Sequence, residues 1–590
     1  MNKLTCLLVL LPEFVLGQVT VGPVADNDCD YNSIQGALDS GASEVRISSA
    51  TTYEESLSIT QADTTLIGGY SNCLQAELSV MGNDISMIVG DVTTTAPVVE
   101  INTPANSSVN LDRLSISSSG SKNGIHMTGE ATHLVISNSL IFDNGAARGA
   151  GIYLNSQNSQ VVIHSSQIIN NQATEQGGGI YCENTQLILD HDVLVAENSV
   201  QSTVFGLGKG GGLYAKDCTL NLFNGNSDQI SAGFIDNQAS SSGGGVYAEE
   251  VELNASGYQL DIGGQTYGDS SQPMLFKGNV SDSDNNNSGS GGGLHLLRSE
   301  AQISAIWFAQ NSGSDNAQSS FNKGGAFHIA YSTMTIGAVE NQTCWRTGLC
   351  NLISGNVNTP IYVQRTTSEL VMDQVEFKDN QSDTTGLIWL RNQCCLDAGD
   401  GPEFTLTNSL LHHNTTTSGG TLIRSTTSEN DCCEITINGY NNTIADNDVN
   451  PVGLTKPTIL LSNQSNLNWY NGIIWDDRPE ATFLGLPSDP VGVELNLDCL
   501  LVAENNWDIP TAIIGNPQFI NPTNGDYHIS ANSPAIDVCQ NDIWSDSPDI
   551  DGQQRNVDHV PTQNILGTQD LGVDEYHTPD LIFADGFNGF

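Results

Sequence analysis

The chain has 590 residues, with 18 lysines and arginines against 67 aspartates and glutamates, a formal net charge of −49. A surface this acidic repels DNA, RNA, anionic lipid and polyuronates, which removes nucleic acid from the list of partners. Charged residues nevertheless make up only 14% of the chain, beside 59 glycines and recurrent short runs of Ile, Val and Leu, which excludes a disordered acidic polymer.

The first element is a secretory signal over residues 1–17. Lys3 supplies the positive start, Leu4 to Leu11 the apolar run, and Val15-Leu-Gly17 a small-residue exit before Gln18. Pro12 and Glu13 are unusual inside such a signal. No other stretch reaches the roughly 18 apolar residues of a membrane span, so no transmembrane helix is expected. Residues 18–80 read as an N-terminal cap and first coils. Ile34 and Leu38 stand at helical spacing behind Asn32 or Ser33 as N-cap, which predicts a short amphipathic helix. Glu44–Ile47, Ser56–Ile59 and Thr65–Tyr70 alternate like strands. The phrase Ile34-Gln-Gly-Ala-Leu-Asp39, followed by Tyr53-Glu-Glu55, resembles the opening of pectin-lyase-like β-helices.

Residues 81–480 form the repeat zone. Strands of three to six residues, such as His133–Ile136 and Gln160–Ile163, are separated by Asn, Gly, Ser and Asp. One phrase occurs three times at a spacing of 33 residues: Gly177-Gly-Gly-Ile-Tyr-Cys182, Gly210-Gly-Gly-Leu-Tyr-Ala215 and Gly243-Gly-Gly-Val-Tyr-Ala248. A fixed period with short strands and no helical crossover predicts an all-β, right-handed parallel β-helix with three strands per coil, stacked at ~4.8 Å. A second phrase places a large apolar residue three before an Asn: Ile141/Asn144, Phe234/Asn237, Phe276/Asn279, Phe308/Asn311, Phe377/Asn380 and Leu411/Asn414. These asparagines are expected to form an amide ladder along one corner, the phenylalanines to stack in the core, and the glycines to turn the chain. A phosphate-cradling role fails, because the glycine runs lead into strands and no Gly-Lys-Ser/Thr follows. The paired phrases, over roughly residues 140–420, resemble the repeats of bacterial polymorphic outer-membrane proteins and related β-helix passenger domains. That resemblance implies surface display, and in some members adhesion.

Thirteen cysteines less Cys6 of the signal leave twelve, an even number that implies disulfides in an exported chain. Coil stacking suggests neighbours: Cys29 with Cys73, Cys182 with Cys218, Cys344 with Cys350, and Cys499 with Cys539. Cys394-Cys395 and Cys432-Cys433 would cross-link as two doublets; a zinc site is the other reading of these four, against their lack of the usual ligand spacing. Polar insertions at Ser281–Ser290 and Gly313–Lys323 interrupt the period. Asp282, Asp284 and Asn286 offer Ca²⁺ ligands, but lack the Gly and Glu of an EF-hand loop, which favours a solvated turn.

Residues 481–577 differ. The ordered phrases Asn524-Gly-Asp-Tyr-His-Ile529, Ser533-Pro-Ala-Ile-Asp537, Asp549-Ile-Asp-Gly-Gln-Gln-Arg555 and Asp570-Leu-Gly-Val-Asp-Glu-Tyr576 resemble the choice-of-anchor type C-terminal module of secreted bacterial β-helix proteins. Asp549 and Asp551 are the one metal candidate, for Ca²⁺, against a turn-forming role; no other cofactor is expected. The tail 578–590 contains Leu581-Ile-Phe-Ala-Asp-Gly-Phe587 and is similar to short sorting tails of exported bacterial proteins. The strand series of an outer-membrane barrel is missing from roughly the last hundred residues.

No catalytic set emerges. The Arg-x-Pro-x-x-Arg phrase of pectate lyases is absent, Asp476-Asp477 stands without the other polygalacturonase phrases, and there is no Gly-x-Ser-x-Gly elbow. His412 and His413, read as strand neighbours, are expected on opposite faces and so unable to act together. The expectation is a monomeric, non-catalytic, secreted or cell-surface β-helix protein of bacterial type, contacting an unknown glycan or protein ligand. The other reading is an extracellular polysaccharide hydrolase or lyase on the same scaffold, which rests on fold analogy alone.

Overall fold

The computed structural model describes residues 17–577 apart from 27, 121, 205, 224–231, 257–259, 263–264, 268–272, 287–288, 315–322, 338–350, 383–384, 393–400, 417–418, 428–433, 450–455, 477, 479–480, 505 and 540–547. The chain is a right-handed parallel β-helix. One coil shows the plan. Gln160–His164 forms the first face and Gln167–Ile169 the second. Gln172–Gln176 bridges to a glycine run, and Ile180–Glu183 forms the third face. The next coil repeats this in register, with Gln160 opposite Gln186, Ile168 opposite Val195, and Ile180 opposite Leu213. First and second faces join in a 30-stranded sheet; the third is a 14-stranded sheet from Leu57–Ile59 to Ala481–Gly485. Strands of the solenoid continue past residue 480, through Val493–Val502 and Ala512–Ile514.

Alternation decides what is inside. On the second face Ile141, Ile168, Val195, Phe234, Phe276, Phe308, Ile353, Phe377, Leu411 and Ile444 lie directly above one another and are buried. Phe234, Phe276 and Phe308 stack with centroids 5.3 and 4.9 Å apart. Burying each such side chain contributes about 1.5–3 kcal/mol, and the column runs almost the length of the molecule.

Three residues after each member of this column stands a buried asparagine. Asn144, Asn171, Asn198, Asn237, Asn279, Asn311, Asn356, Asn380, Asn414 and Asn447 form one continuous ladder, each Nδ2 donating to the Oδ1 of the next at 2.8–3.1 Å. The same Oδ1 accepts the preceding asparagine's backbone N–H, as from Asn237 to Asn279 at 3.1 Å. The second Nδ2 hydrogen reaches a core carbonyl, as from Asn279 to Phe234 at 2.8 Å. Both donors and both acceptor sites of an interior amide are thus used, the condition under which a buried polar group is stable. Asp lacks the donors. The residue before each ladder asparagine is in the left-handed region, from Asp143 (φ 51°) to Asp446 (φ 50°), and Gly278 and Gly355 take the same place. That is why Asp, Asn and Gly dominate there.

The three glycines of each run have separate reasons. Gly177 has φ +65°, which turns the chain. A methyl on Gly178 would lie 2.4 Å from the Gly211 carbonyl of the next coil, and one on Gly179 3.0 Å from the Asn198 amide nitrogen. Only the first is needed for the turn; the others let coils approach.

At the N-terminus the predicted helix is present as α1 (Ile34–Asp39), with Ser33 as N-cap. Glu55, the end of the Tyr53-Glu-Glu phrase, completes the cap: its carboxylate accepts from Ile34 N and Gln35 N, both at 2.9 Å. Tyr53 donates its buried hydroxyl hydrogen between Val21 O and Ser48 O. A second short helix, α2 (Cys73–Glu77), was not expected; Asn72 caps it. Its five residues are too few for periodicity to register.

The ladder makes a specific prediction. Asn279→Ala strips the acceptor from two donors of Asn237, at roughly 1–3 kcal/mol each, so a loss of about 3 kcal/mol is expected. Asn254→Ala, on the outer face with one 3.3 Å bond to Asn221, should cost less than about 0.5 kcal/mol. Thermal melts of the two variants check this; equal midpoints would remove the ladder from the account.

Candidate functional site

The outward surfaces of the three faces differ in kind. On the third face the outward residues are aromatic. His126, Tyr153, Tyr181, Tyr214, Tyr247, His295, His328, Tyr362 and Trp389 form one column, with ring centroids 4.5–5.4 Å apart. The column is not a platform for ligands. The first glycine of each run passes directly over it, so that a methyl on Gly243 would lie 2.7 Å from Tyr247 Cβ, and Tyr181 to Trp389 are all buried. The signal for the rings from Tyr153 to His328 was the Tyr or His four places after the first glycine of each run.

The second face is covered from Leu410 onward by the chain's own C-terminal segment. Tyr527, Ile550 and Val573 pack on Leu410 and Ala445, while Ile529, Ala535, Ile536, Val538 and Leu571 pack with Ile473 and Leu501. Polar contacts fix the fit: Gly572 N donates to Asn471 O at 3.1 Å, Val573 N to Thr443 Oγ1 at 3.0 Å, and Tyr527 Oη to Asp446 Oδ2 at 2.9 Å. Gly572 has φ +90°, and a methyl there would lie 2.6 Å from Thr443 Oγ1. A disulfide joins Cys499 of the last coils to Cys539 of this segment.

The C-terminal segment has little regular structure beyond the hairpin of Phe519–Asn521 and Asp526–Ile529. It is tied by buried carboxylates that accept backbone N–H groups. Asp549 accepts from Asp551 N (3.0 Å) and Gln553 N (2.7 Å). Asp570 accepts from Asp537 N and Tyr576 N, both at 2.7 Å. Asp574 accepts from Ile529 N (2.7 Å) and Glu575 from Val557 N (2.8 Å). Arg555, fully enclosed, donates to the carbonyls of Gly572 (3.0 Å) and Val573 (2.8 Å). The acids of the sequence phrases are therefore the framework of this segment.

Of the candidate metal pair, Asp549 is turned inward and accepts backbone N–H groups, that of Asp551 included, while the Asp551 carboxylate meets His528. Asp551, His528 and Asp574 bring donor atoms within 4.8 Å of one another. His528 spans two carboxylates, with Nδ1 2.5 Å from Asp526 Oδ1 and Nε2 3.1 Å from Asp551 Oδ1. Burial alone would lower its pKa, but the bonds to Asp526 and Asp551 outweigh that and raise it to about 11. The shift favours the imidazolium form, which offsets the charge of the surrounding acids. Asp282 lies buried at its turn, while Asp284 is exposed and accepts from Asn286 Nδ2 at 2.7 Å.

The structure joins Cys29 to Cys73 and Cys182 to Cys218. Cys344, Cys350, Cys394, Cys395, Cys432 and Cys433 lie outside the described residues, as do the signal up to residue 16 and the tail 578–590. One expectation fails. His412 and His413 do not point apart: their Nδ1 atoms are 2.9 Å from each other. His413 occupies the left-handed position before Asn414 (φ 52°), so strand alternation stops at His412. His412 Nε2 also meets Glu376 Oε1 at 3.0 Å, and both residues are buried beneath Tyr527. Burial lowers the His412 pKa, against the pull of Glu376.

On the first face the outward residues Glu252, Glu300, Thr333, Glu369 and Glu403 stand in register in one row, and Asn254, Gln302 and Thr335 in the next, whereas the outward Ile188 and Asn221 of earlier coils are buried. All four of these glutamates are exposed.

The repeat model described as the Chlamydia polymorphic membrane protein repeat matches residues 165–183. That stretch holds one rung of the ladder, Asn171, and one glycine run, Gly177–Gly179. No curated protein matches the chain. Among solved structures, the crystal structure of tailspike protein 3 of bacteriophage CBA120 is similar at 12% identity, over 79% of this chain and 58% of that one, with a TM-score of 0.29. The chain thus spans less than two thirds of that tailspike's length. Strand register and repeat together define a parallel β-helix repeat protein.

The buried acids give the C-terminal segment a pH dependence. Burial raises the pKa of Asp574 to about 7, against the pull of His528, and also raises those of the neighbouring Asp570 and Glu575. A carboxyl raised in the fold holds its proton more tightly there than in the unfolded chain. Its contribution is complete below about pH 4 and is lost as pH rises through the folded value. His528, raised from 6.5, acts in the same direction, with loss as pH rises through about 11. Hydrogen exchange at Phe519–Tyr576 should therefore accelerate between pH 5 and pH 9, after correction for intrinsic rates, while the central coils stay protected. Uniform protection over that range would contradict the assignment.

Proposed function

We propose that this is a non-catalytic β-helix protein of a bacterial cell surface or its surroundings, which contacts glycan or protein ligands along its side. The observation that carries the reading is the stretch of the first face from Glu252 to Glu403, where a polar row of Glu and Thr repeats in register from coil to coil, a spacing suited to hydrogen-bonding a long repetitive ligand. The likeness of residues 165–183 to a repeat of Chlamydia polymorphic membrane proteins supports a surface setting. So does the formal net charge of −49, which keeps an exposed protein soluble. The secretory signal and the sorting role of the tail belong to the same proposal.

On arrays of surface glycans and matrix proteins, the purified chain should bind at least one ligand class and release no shortened or unsaturated sugar. Joint replacement Glu300→Lys, Gln302→Lys and Thr335→Lys should change that binding at least tenfold with the fold intact. Depolymerisation of any bound glycan would reverse the reading in favour of the hydrolase or lyase.

A chain lacking residues 578–590 keeps every docking contact described above. In a secreting bacterial host it should move from the cell-associated fraction to the medium; unchanged retention would refute the sorting role of the tail.

A further inference from the structure

The solenoid ends in a cleft of about 310 Å³, at the lower end of the roughly 300–1,000 Å³ of ligand pockets. It forms where stacking stops. Among the described residues, Ala481–Gly485 is the last strand of the third face, and it pairs with Lys456–Leu460. The space that another coil would fill is floored by Ile474, Phe483 and Val502, all buried. Glu504, Asn506 and Trp507, which follow Val502 in the chain, line it together with Asp476.

We propose that this cleft is a binding subsite for one or two neutral or amino-sugar residues at the end of a glycan, an inference that rests on the glycan-contact reading above. The chemistry of the lining selects that class. Trp507 is half-buried, packed on the core by part of its surface, and the remainder of its indole lines the cleft as a flat apolar wall for the C–H face of a sugar. The carboxylates are pure acceptors and suit hydroxyl or ammonium donors. They are also held in place. Arg478 Nε donates to both oxygens of Asp476, at 2.8 and 3.1 Å, and Asn506 Nδ2 donates to Glu504 Oε2 at 3.1 Å. Asp476 and Glu504 are the only charged groups among the described lining residues. With Asp476 already paired to Arg478, Glu504 leaves the rim net negative, which disfavours a uronate or sialate, whereas a neutral sugar meets hydrogen-bond acceptors partly oriented beforehand.

The test uses the full chain, calorimetry, and a panel of neutral, amino and acidic mono- and disaccharides, which are too short to engage several rungs of the first face. Binding of a neutral or amino sugar, weakened at least tenfold by Trp507→Ala and by the exposed pair Glu504→Ala with Asn506→Ala, is the expected result. The second variant keeps the test decisive where loss of Trp507 unsettles the coil end, and circular dichroism verifies the fold of both. Unchanged binding in both variants, preference for acidic sugars, or binding only of long chains would each overturn the subsite and leave the glycan-contact reading standing. No binding of any glycan, short or long, would overturn both.

Discussion

The amide ladder from Asn144 to Asn447 is the constraint on which the rest of the solenoid depends. Each rung is saturated with hydrogen bonds only if the next asparagine lies directly above it. A slip of one residue in any coil would break two donor contacts in a medium where they cannot be replaced by water. The ladder also explains why the two repeated phrases travel together. The last glycine of each run sits against an asparagine of the ladder: a methyl on Gly179 would approach the Asn198 amide to 3.0 Å, one on Gly212 the Asn237 amide carbon to 3.1 Å, and one on Gly245 the Asn279 amide carbon to 3.1 Å. A side chain there would push against the amides whose alignment closes the coil. The glycine run and the asparagine are two halves of one corner.

That corner determines which surfaces are available. The glycine runs lie against the aromatic column of the third face, whose seven rings from Tyr181 to Trp389 are buried and act as a second, outer core. The left-handed residue before each asparagine closes the second face, whose later strands the C-terminal segment then covers. Among the described residues, the polar row of the first face from Glu252 to Glu403 and the unfinished coil at the end are the surfaces offered for recognition. The two places are chemically different. The first face offers repeated polar rungs; the end cleft offers one aromatic wall and fixed acceptors.

The C-terminal segment folds by another principle. It has few strands, and its order comes from carboxylates that take up backbone N–H groups in the interior. Burial desolvates these acids and raises their pKa values, which favours their protonated forms, while Arg555 and His528 are the nearby basic groups. The segment is therefore tied to the solenoid by apolar contacts, a disulfide and a protonation state together. The solenoid has titrating groups of its own, His295 and His328 in the aromatic column and His412 beside Glu376; burial lowers the pKa of all three, so their contribution runs the other way and is lost as pH falls.

The sequence by itself determined what recurs in every coil. The period, the alternation of Val161 and Ile163 with outward neighbours, the column three residues before each asparagine, and the glycine runs are local patterns that each coil reads afresh, so no long-range fact was needed. The rungs at Asn171, Asn198, Asn356 and Asn447 follow the same rule with Ile or Val in place of Phe. Only the tertiary structure decided how the C-terminal segment meets the coils. Gly572 against Asn471 and Thr443, and Gln569 Nε2 against Asn441 Oδ1 at 3.2 Å, join segments with no shared period. It alone paired Asp551 with His528 rather than with Asp549, because the inward turn of Asp549 is set by backbone N–H groups of its own loop. It also brought His412 to His413, because the ladder requires a left-handed residue before Asn414 and so bends the strand at the one place where alternation had been assumed. A repeated contact can be read from its period, whereas a contact made once depends on where the folded chain carries its two partners.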